Sequence, residues 1–180
     1  MDAFLQALKQ AARVKGPSWK LVCCGPRDEA FRGFRNAIDN GDNAVNVLLV
    51  DAEGSVNQVP RDHLQGRDNW DLGFASEDAV HLMVQAMEAW IVADPVALAE
   101  YYGQGFVVRQ LPQSASLEIV QKADLMRGLD RATRGTPKGR YHKTRHAGDL
   151  LKRIDANKVK TRCAHCERLF EALDRIVAAA

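Results

Sequence analysis

The sequence predicts an α/β fold, in which a mainly parallel sheet is flanked by helices and the C-terminal half of the chain is helical. Residues 45–50 form a nearly continuous apolar run, which is typical of a strand covered on both faces. Strand-like and helix-like patterns alternate up to residue 94, as they do around parallel sheets. After Pro95, strand signals become scarce and helical spacing dominates.

Before residue 95, apolar spacing and turn residues predict helices, strands and one long loop. The predicted helices are Phe4–Ala12, Ala30–Ile38 and Met87–Ala93. The predicted strands are Trp19–Cys23, Val45–Val50 and Val80–Val84. The loop between the second and third strands carries Pro60, Gly66 and Gly73.

The remainder of the chain predicts helices at Pro95–Tyr102, Leu117–Thr133, Arg145–Ile154 and Ala164–Val177. Asp94 precedes a proline, which suits a helix N-cap followed by proline at the first helical position. Because no linker or repeat separates the two halves, we expect one domain over residues 1–180. In that domain, residues 95–180 would pack on the α/β portion at residues 1–94.

Composition places few limits on function. The chain has 180 residues, is 46% hydrophobic, and carries 25 basic and 23 acidic residues, so its near charge balance gives no reason by itself to expect nucleic acid. No apolar run approaches the roughly 18 residues of a membrane span, and no export signal is evident. We therefore expect a cytoplasmic protein with no membrane partner, whose four cysteines are reduced.

An acidic motif, Asp51-Ala52-Glu53, follows the apolar run of residues 45–50. Strand residues two apart point to one face, so both carboxylates would project from the carboxyl end of the strand, where open α/β sheets bind ligands. Such oxygens can hold Mg²⁺ or Mn²⁺, which orients phosphate during displacement at phosphorus. The alternative is a pair of solvated acids that open a loop.

Glu88 lies on the apolar face of its predicted helix, together with Ile91 and Val92. An unpaired charge is poorly tolerated there, so Glu88 should have a partner. The partner would be either a metal ion held with Asp51 or an arginine in a structural ion pair, and the residues alone favour the ion pair.

Residues 131–162, here called the basic segment, contain eleven basic residues and only two acids, a local excess of nine positive charges. Tyr141 and His142 stand among these cations, so the segment could bind phosphates without sequence preference. The alternative is a solvated helical face joined to a flexible loop at residues 135–137.

The cysteines and histidines suggest zinc only weakly. Cys163 and Cys166 flank His165, and His142 and His146 stand four apart, but a structural zinc site needs four ligands. Cys166 already belongs to the apolar stripe of the last predicted helix. Cys23 and Cys24 are expected to be buried strand residues.

Several blocks of the sequence, in order, resemble an uncharacterised bacterial family called domain of unknown function 4276. The blocks are Gly25–Phe34, Leu48–Glu53, His81–Trp90, Ala93-Asp94, Tyr102–Gln104, Leu111-Pro112 and Lys138–Lys143 with His146. The His81–Trp90 block is the most specific. The family looks like a divergent TOPRIM domain, the metal-dependent phosphodiester fold of topoisomerases, primases and overcoming-lysogenisation-defect nucleases.

The resemblance implies a Mg²⁺- or Mn²⁺-dependent nuclease of a bacterial phage-defence system, working on DNA or RNA with an ATPase partner. It implies metal ligands at Asp51, Glu53 and Glu88, and catalytic roles for Glu88, Lys143 and His146. Nucleic-acid contacts would come from Lys138, Arg140, Lys143 and Arg145. The alternatives are a noncatalytic subunit that binds nucleic acid or a partner protein, and a small-molecule phosphohydrolase.

Two departures from the TOPRIM pattern qualify this expectation. TOPRIM domains usually begin with a strand that ends in Glu-Gly, and the chain shows no counterpart of that strand. The second acidic motif is Asp-x-Glu instead of the commoner Asp-x-Asp, although glutamate offers the same oxygens on a longer arm. The resemblance therefore predicts either a start upstream of Met1 or a partial loss of the chemistry, with little nuclease activity from this chain alone.

Overall fold

A computed structural model of the protein describes residues 4–5, 18, 20–41 and 44–179. Within these ranges, two strands form one small parallel sheet, and eight α-helices surround it. The strands are β1 (Leu48–Asp51) and β2 (Val80–Met83). The helices are α1 (Arg27–Asp39), α2 (Pro60–Asp68), α3 (Met87–Ala93), α4 (Pro95–Tyr102), α5 (Lys122–Thr133), α6 (Lys143–Leu151), α7 (Ala156–Arg162) and α8 (Ala164–Ala179).

The two strands run parallel, with Leu48 opposite Val80 and Asp51 opposite Met83. Backbone pairing continues just past the end of β1, where the Ala52 N–H donates to the Met83 carbonyl at 3.0 Å. The carboxyl ends of both strands therefore lie at one edge of the sheet. The loops that leave this edge carry the acidic motif after β1 and the start of α3 after β2.

Both faces of the sheet are covered, as the apolar run of residues 45–50 predicts. Leu48 and Val50 pack into a hydrophobic cluster that includes Leu64 and Trp70. Leu49, which points the other way, packs against a larger cluster built around α3 and the C-terminal helices. Every residue of α3 from Glu88 to Ala93 is buried, so this helix forms the centre of the larger cluster.

Several predicted boundaries are confirmed. Helices α3 and α4 have the predicted limits, and the Asp94 side chain accepts a hydrogen bond from the Ala97 N–H at 3.2 Å, which confirms the N-cap. The last helix begins at Ala164 as predicted and extends to Ala179. The first strand is shorter than the apolar run and ends one residue later, at Asp51.

Other predictions are wrong. Residues 20–23 form no strand, and Cys23 is exposed and Cys24 partly exposed instead of buried. The expected loop around Pro60 contains α2, which begins with that proline and ends at Asp68; the next residue, Asn69, has the left-handed conformation that commonly ends a helix. Helix α7 was not predicted; the Asp155 side chain caps it by accepting from the Asn157 N–H.

The remaining predicted elements can be placed in part. The helix predicted at residues 4–12 lies mostly outside the described residues, as does Trp19. In the described part of the chain, no helix has both the length and the apolar composition needed to cross a lipid bilayer. The sheet, α3, α5 and α6 are the elements that position the candidate site.

Candidate active site at the carboxyl edge of the sheet

Asp51 is the last residue of β1, and both of its carboxylate oxygens are bonded. One oxygen accepts the Met87 N–H at 2.8 Å, at the start of α3. The other accepts from Lys143 Nζ at 2.9 Å, from the first turn of α6. The side chain is 11% exposed, so this single carboxylate joins the sheet to two helices in a largely dry environment.

Glu53 lies in the left-handed conformation, with φ at 61°. This conformation is uncommon for a residue other than glycine, and such positions occur often at functional sites. Because the chain has left the strand conformation at Glu53, the alternation expected between Asp51 and Glu53 does not hold, although Glu53 follows the end of the strand by only two residues. The Glu53 carboxylate instead forms an ion pair with Lys122, at the start of α5.

The pKa of Glu53 is held below its ordinary value by nearby cations. Burial alone would raise this pKa, but the hydrogen bond and charge of Lys122, with the charges of Lys143 and Arg27, outweigh that effect. Lys143 and Arg27 thus lie close enough to influence Glu53. The carboxylate is therefore ionised across the neutral pH range.

Glu88 is completely buried near the start of α3. Its Oε1 accepts a hydrogen bond from the Tyr141 hydroxyl at 3.0 Å, and Lys143 Nζ lies 3.8 Å from the same oxygen. Its Oε2 is buried and has no hydrogen-bond partner within the described residues. A buried carboxylate oxygen without a partner is costly, so this position calls for another donor or a cation.

Lys143 connects the two buried acids, because its ammonium group contacts both Asp51 and Glu88. Burial by itself would lower the pKa of Lys143, but the hydrogen bond and charge of Asp51, with the charges of Glu88 and Glu53, raise it. Burial and the Glu88 carboxylate likewise raise the pKa of the Tyr141 phenol. Both groups therefore keep their protons at neutral pH.

His146 lies one turn after Lys143 on α6 and is buried. Its Nδ1 lies 3.0 Å from the Tyr102 hydroxyl and 3.2 Å from the backbone nitrogen of His142. Burial, followed by the positive charges of Arg145 and Lys138, lowers the pKa of His146. The imidazole is therefore neutral at physiological pH.

Sequence reasoning missed two residues of this site, Gln85 and Lys122. Gln85, just after β2, accepts a hydrogen bond from the Lys122 N–H at 3.1 Å and donates to Ser55 Oγ at 3.3 Å. The backbone carbonyl of Gln85 also accepts a hydrogen bond from the Glu53 N–H at 2.8 Å. Gln85 thus fixes both partners of the Glu53–Lys122 ion pair. No local pattern marks either residue, because their neighbours are distant in sequence.

A family model described as Domain of unknown function (DUF4276) matches residues 3–174. The chain belongs to this family. The resemblance inferred from the His81–Trp90 block and the other sequence blocks is therefore confirmed at the level of the family. No curated protein and no solved structure matches the chain.

In this DUF4276 protein, the acids at the carboxyl edge of the sheet (Asp51, Glu53 and Glu88, the acidic edge) have a donor set that suits Mg²⁺ or Mn²⁺. All three offer hard oxygens, and Asp51 and Glu88 both reach the same ammonium group. The unpartnered Oε2 of Glu88 leaves a lone pair for a cation. As they stand, no three His, Cys, Asp or Glu side chains within the described residues are grouped to hold a metal ion.

The basic segment of this family member is less uniform than its charge suggests. Arg140 pairs with Asp130, Lys152 with Asp149, Lys158 with Asp94, and Arg162 donates to backbone carbonyls such as that of Ser114. Lys138 and Arg153 instead lie over the ring of Tyr101, at 4.9 and 5.6 Å. Among the four predicted nucleic-acid contacts, Lys143 is paired with Asp51 of the acidic edge. The exposed Arg140 is already paired with Asp130.

The potential zinc ligands near the last helix have other partners. His165 contacts Glu118 through its backbone N–H at 2.8 Å and through Nδ1 at 2.9 Å. Cys163 and Cys166 are buried, and burial raises the pKa of both thiols, that of Cys166 to about 12. Zinc binds thiolates, so these protonated thiols are poor ligands.

Proposed function

We propose that this protein is a Mg²⁺- or Mn²⁺-dependent phosphodiesterase that acts on nucleic acid, with a TOPRIM-like site at the acidic edge. The supporting observation is that Lys143 contacts both Asp51 and Glu88 at the carboxyl edge of the sheet, although Asp51 and Lys143 are 92 residues apart, and that Glu53, which pairs with Lys122, lies close enough to be influenced by the charge of Lys143. The buried, unpartnered oxygen of Glu88 favours a cation there over a purely structural ion pair.

The acids of the acidic edge and the lysines that contact them would have different roles. Asp51, Glu53 and Glu88 would hold the cation. When bound, Mg²⁺ or Mn²⁺ neutralises and orients the phosphate oxygens during displacement at phosphorus. Lys143 and Lys122 would contact the phosphate oxygens and the charge that develops on them.

The basic segment would guide the substrate to this site. Lys143 belongs to both regions, and Lys138 lies in the loop just before it. Cations attract the phosphate backbone of either DNA or RNA, so we propose nucleic acid as the substrate class. From the family resemblance we further propose a setting in bacterial phage defence, in which an ATPase partner controls the site.

A noncatalytic subunit that binds nucleic acid or a partner protein is the second candidate. One observation favours it: Asp51 and Glu53 are each neutralised by a lysine. In that case the lysines are permanent structural partners, and the acidic edge stabilises the fold without binding a cation. Metal binding therefore separates the two candidates.

Calorimetry with Mn²⁺ on the wild type, Asp51→Asn and Glu88→Gln tests the metal site. Both substitutions remove a charge while keeping the size of the side chain. We expect each to weaken Mn²⁺ binding by more than about tenfold, since both remove a proposed ligand. Asp62→Asn, at an exposed acid on α2, is the matched control and should bind Mn²⁺ as the wild type does. Equal affinity in all four proteins would contradict the assignment.

Cleavage of single-stranded DNA, double-stranded DNA and RNA should be measured with Mn²⁺, with and without the ATPase partner. The chain alone is expected to cleave weakly, and turnover with the partner should disappear in Asp51→Asn. Mn²⁺ binding without cleavage under every condition would favour the noncatalytic candidate.

A further inference from the structure

The ring of His146 is enclosed by three tyrosines. Its centroid lies 6.0 Å from that of Tyr101, 5.6 Å from that of Tyr102 and 6.4 Å from that of Tyr141, and all three pairs are tilted or edge-on. The side chain is 7% exposed. Packing therefore fixes the orientation of the imidazole ring, so the direction of each ring nitrogen is also fixed.

The hydrogen bonds at Nδ1 determine where the proton of His146 lies. The backbone N–H of His142 can only donate, so Nδ1 must present a lone pair to it. The Tyr102 hydroxyl, 3.0 Å from the same atom, must then donate as well. Burial raises the pKa of Tyr102, which keeps this donor protonated. The neutral imidazole consequently carries its proton on Nε2.

We propose that Tyr102 is a positioning residue, which together with the His142 N–H holds His146 in the tautomer protonated at Nε2 and makes His146 a hydrogen-bond donor to a phosphate oxygen instead of a general base. The statement about the phosphate rests on the proposed function, whereas the tautomer does not. Within the described residues, no protein group accepts a hydrogen bond from Nε2, and this atom is not fully buried, so its proton is available to a ligand.

His146 is linked to the acidic edge through Lys143 and Tyr141. It stands three residues after Lys143 on α6, so the two side chains share a helix face, and Lys143 contacts Asp51 and Glu88. Tyr141, whose ring packs near His146, donates its hydroxyl to Glu88. A neutral donor in this position can stabilise negative charge on phosphate oxygens without a change in its own protonation.

A general base needs a lone pair that faces the substrate. The only lone pair of the neutral ring is on Nδ1, and two protein donors share it. The competing explanation is that Tyr102 only fills space beside His146. Its ring contact with His146 would survive removal of the hydroxyl, so Tyr102→Phe separates packing from hydrogen bonding.

The tautomer can be measured by long-range ¹H–¹⁵N correlation NMR of the histidine rings, assigned with His146→Gln. In the wild type, we expect Nε2 of His146 to be protonated and Nδ1 to be unprotonated. Tyr102→Phe removes the shorter of the two hydrogen bonds to Nδ1 and leaves only that from the His142 N–H, so it should raise the population of the tautomer protonated at Nδ1. Tyr101→Phe is the matched control, because Tyr101 also contacts the imidazole but makes no hydrogen bond to it, and it should leave the tautomer unchanged. A protonated Nδ1 in the wild type, or no effect of Tyr102→Phe, would overturn the proposal.

The donor role is tested by binding of a phosphorothioate dinucleotide to two variants of His146. The amide nitrogen of His146→Gln can occupy the place of Nε2 and donate, but it cannot act as a base. We expect it to bind nearly as the wild type does, whereas His146→Leu should bind about tenfold more weakly, as for the loss of a hydrogen bond to a charged group. Equal binding by the two variants would refute the donor role. A failure of the proposed nuclease function would appear instead as absent Mn²⁺ binding and cleavage, with the NMR result unaffected.

Discussion

The acidic edge and the basic segment are both conspicuous by charge, but the fold treats the two regions differently. At the acidic edge, Glu88 is fully buried and Asp51 nearly so, and their cation, Lys143, comes from a distant helix. In the basic segment, cations such as Arg140 and Lys152 are exposed and pair with nearby acids. The number of charged residues in a segment is therefore a poor guide to the net charge that the folded protein presents to a ligand.

The largest expected difference is between the contributions to stability of Lys143, which pairs with the acidic edge, and Lys152, which forms an exposed ion pair. Lys143→Met leaves Asp51 and Glu88 without their shared cation, and we expect a loss of about 1–3 kcal/mol of unfolding free energy, reduced from the buried-pair value because Lys143 is half-exposed. Lys152→Met removes only an exposed pair with Asp149 and should cost less than about 0.5 kcal/mol. Urea denaturation measures both.

Mn²⁺ sharpens this comparison. If the acidic edge binds a cation, Mn²⁺ should restore part of the stability that Lys143→Met removes, because it replaces the missing positive charge. The same addition should not rescue the small effect of Lys152→Met. Identical responses of the two variants to Mn²⁺ would show that Lys143 has only a structural role.

Local signals account for what the sequence predicts correctly. Asp94 and Pro95 mark the boundary between α3 and α4, and the apolar run before Asp51 identifies a strand covered on both faces. Short polar helices such as α2 and α7 lack a strong apolar stripe, so their starts depend on a proline or a cap that is easily taken for a turn.

The candidate site can be predicted from the sequence only in part, because the residues that contact one another there are distant in sequence. The acids are marked by their position after a strand, but the pairing of Glu53 with Lys122 spans 69 residues and depends on Gln85. The burial of Glu88 follows from its apolar helix face, whereas its contact with Tyr141 depends on how α6 packs. Tertiary contacts of this kind leave no periodic signal in one sequence.

Nucleic-acid binding should depend on the cations near Tyr101 and His146 more than on the total charge of the basic segment. Replacing Lys138, Arg145 and Arg153 together with glutamine should weaken binding about tenfold at low salt and lower the salt slope by about 0.7–0.9 for each phosphate that the variant no longer neutralises. The matched control replaces Arg32, Arg140 and Lys152, which carry equal charge but pair with nearby acids. Its effect should be less than about threefold. Equal effects of the two triple variants would mean that only net charge matters.

The smallest expected effect concerns the Glu53–Lys122 pair and its dependence on pH. Folding lowers the pKa of Glu53 below its usual value of 4.5, so the pair stabilises the protein above that pH and loses this contribution as the pH falls through the lowered pKa. Lys122→Met should therefore destabilise the protein by less than about 1 kcal/mol near neutral pH, since both side chains are partly exposed. Thermal unfolding at a series of pH values should show the difference between variant and wild type shrinking below pH 4.5. A difference that stays constant with pH would assign the effect of Lys122 to packing, and the acidic edge would then be electrostatically coupled only through Asp51 and Glu88.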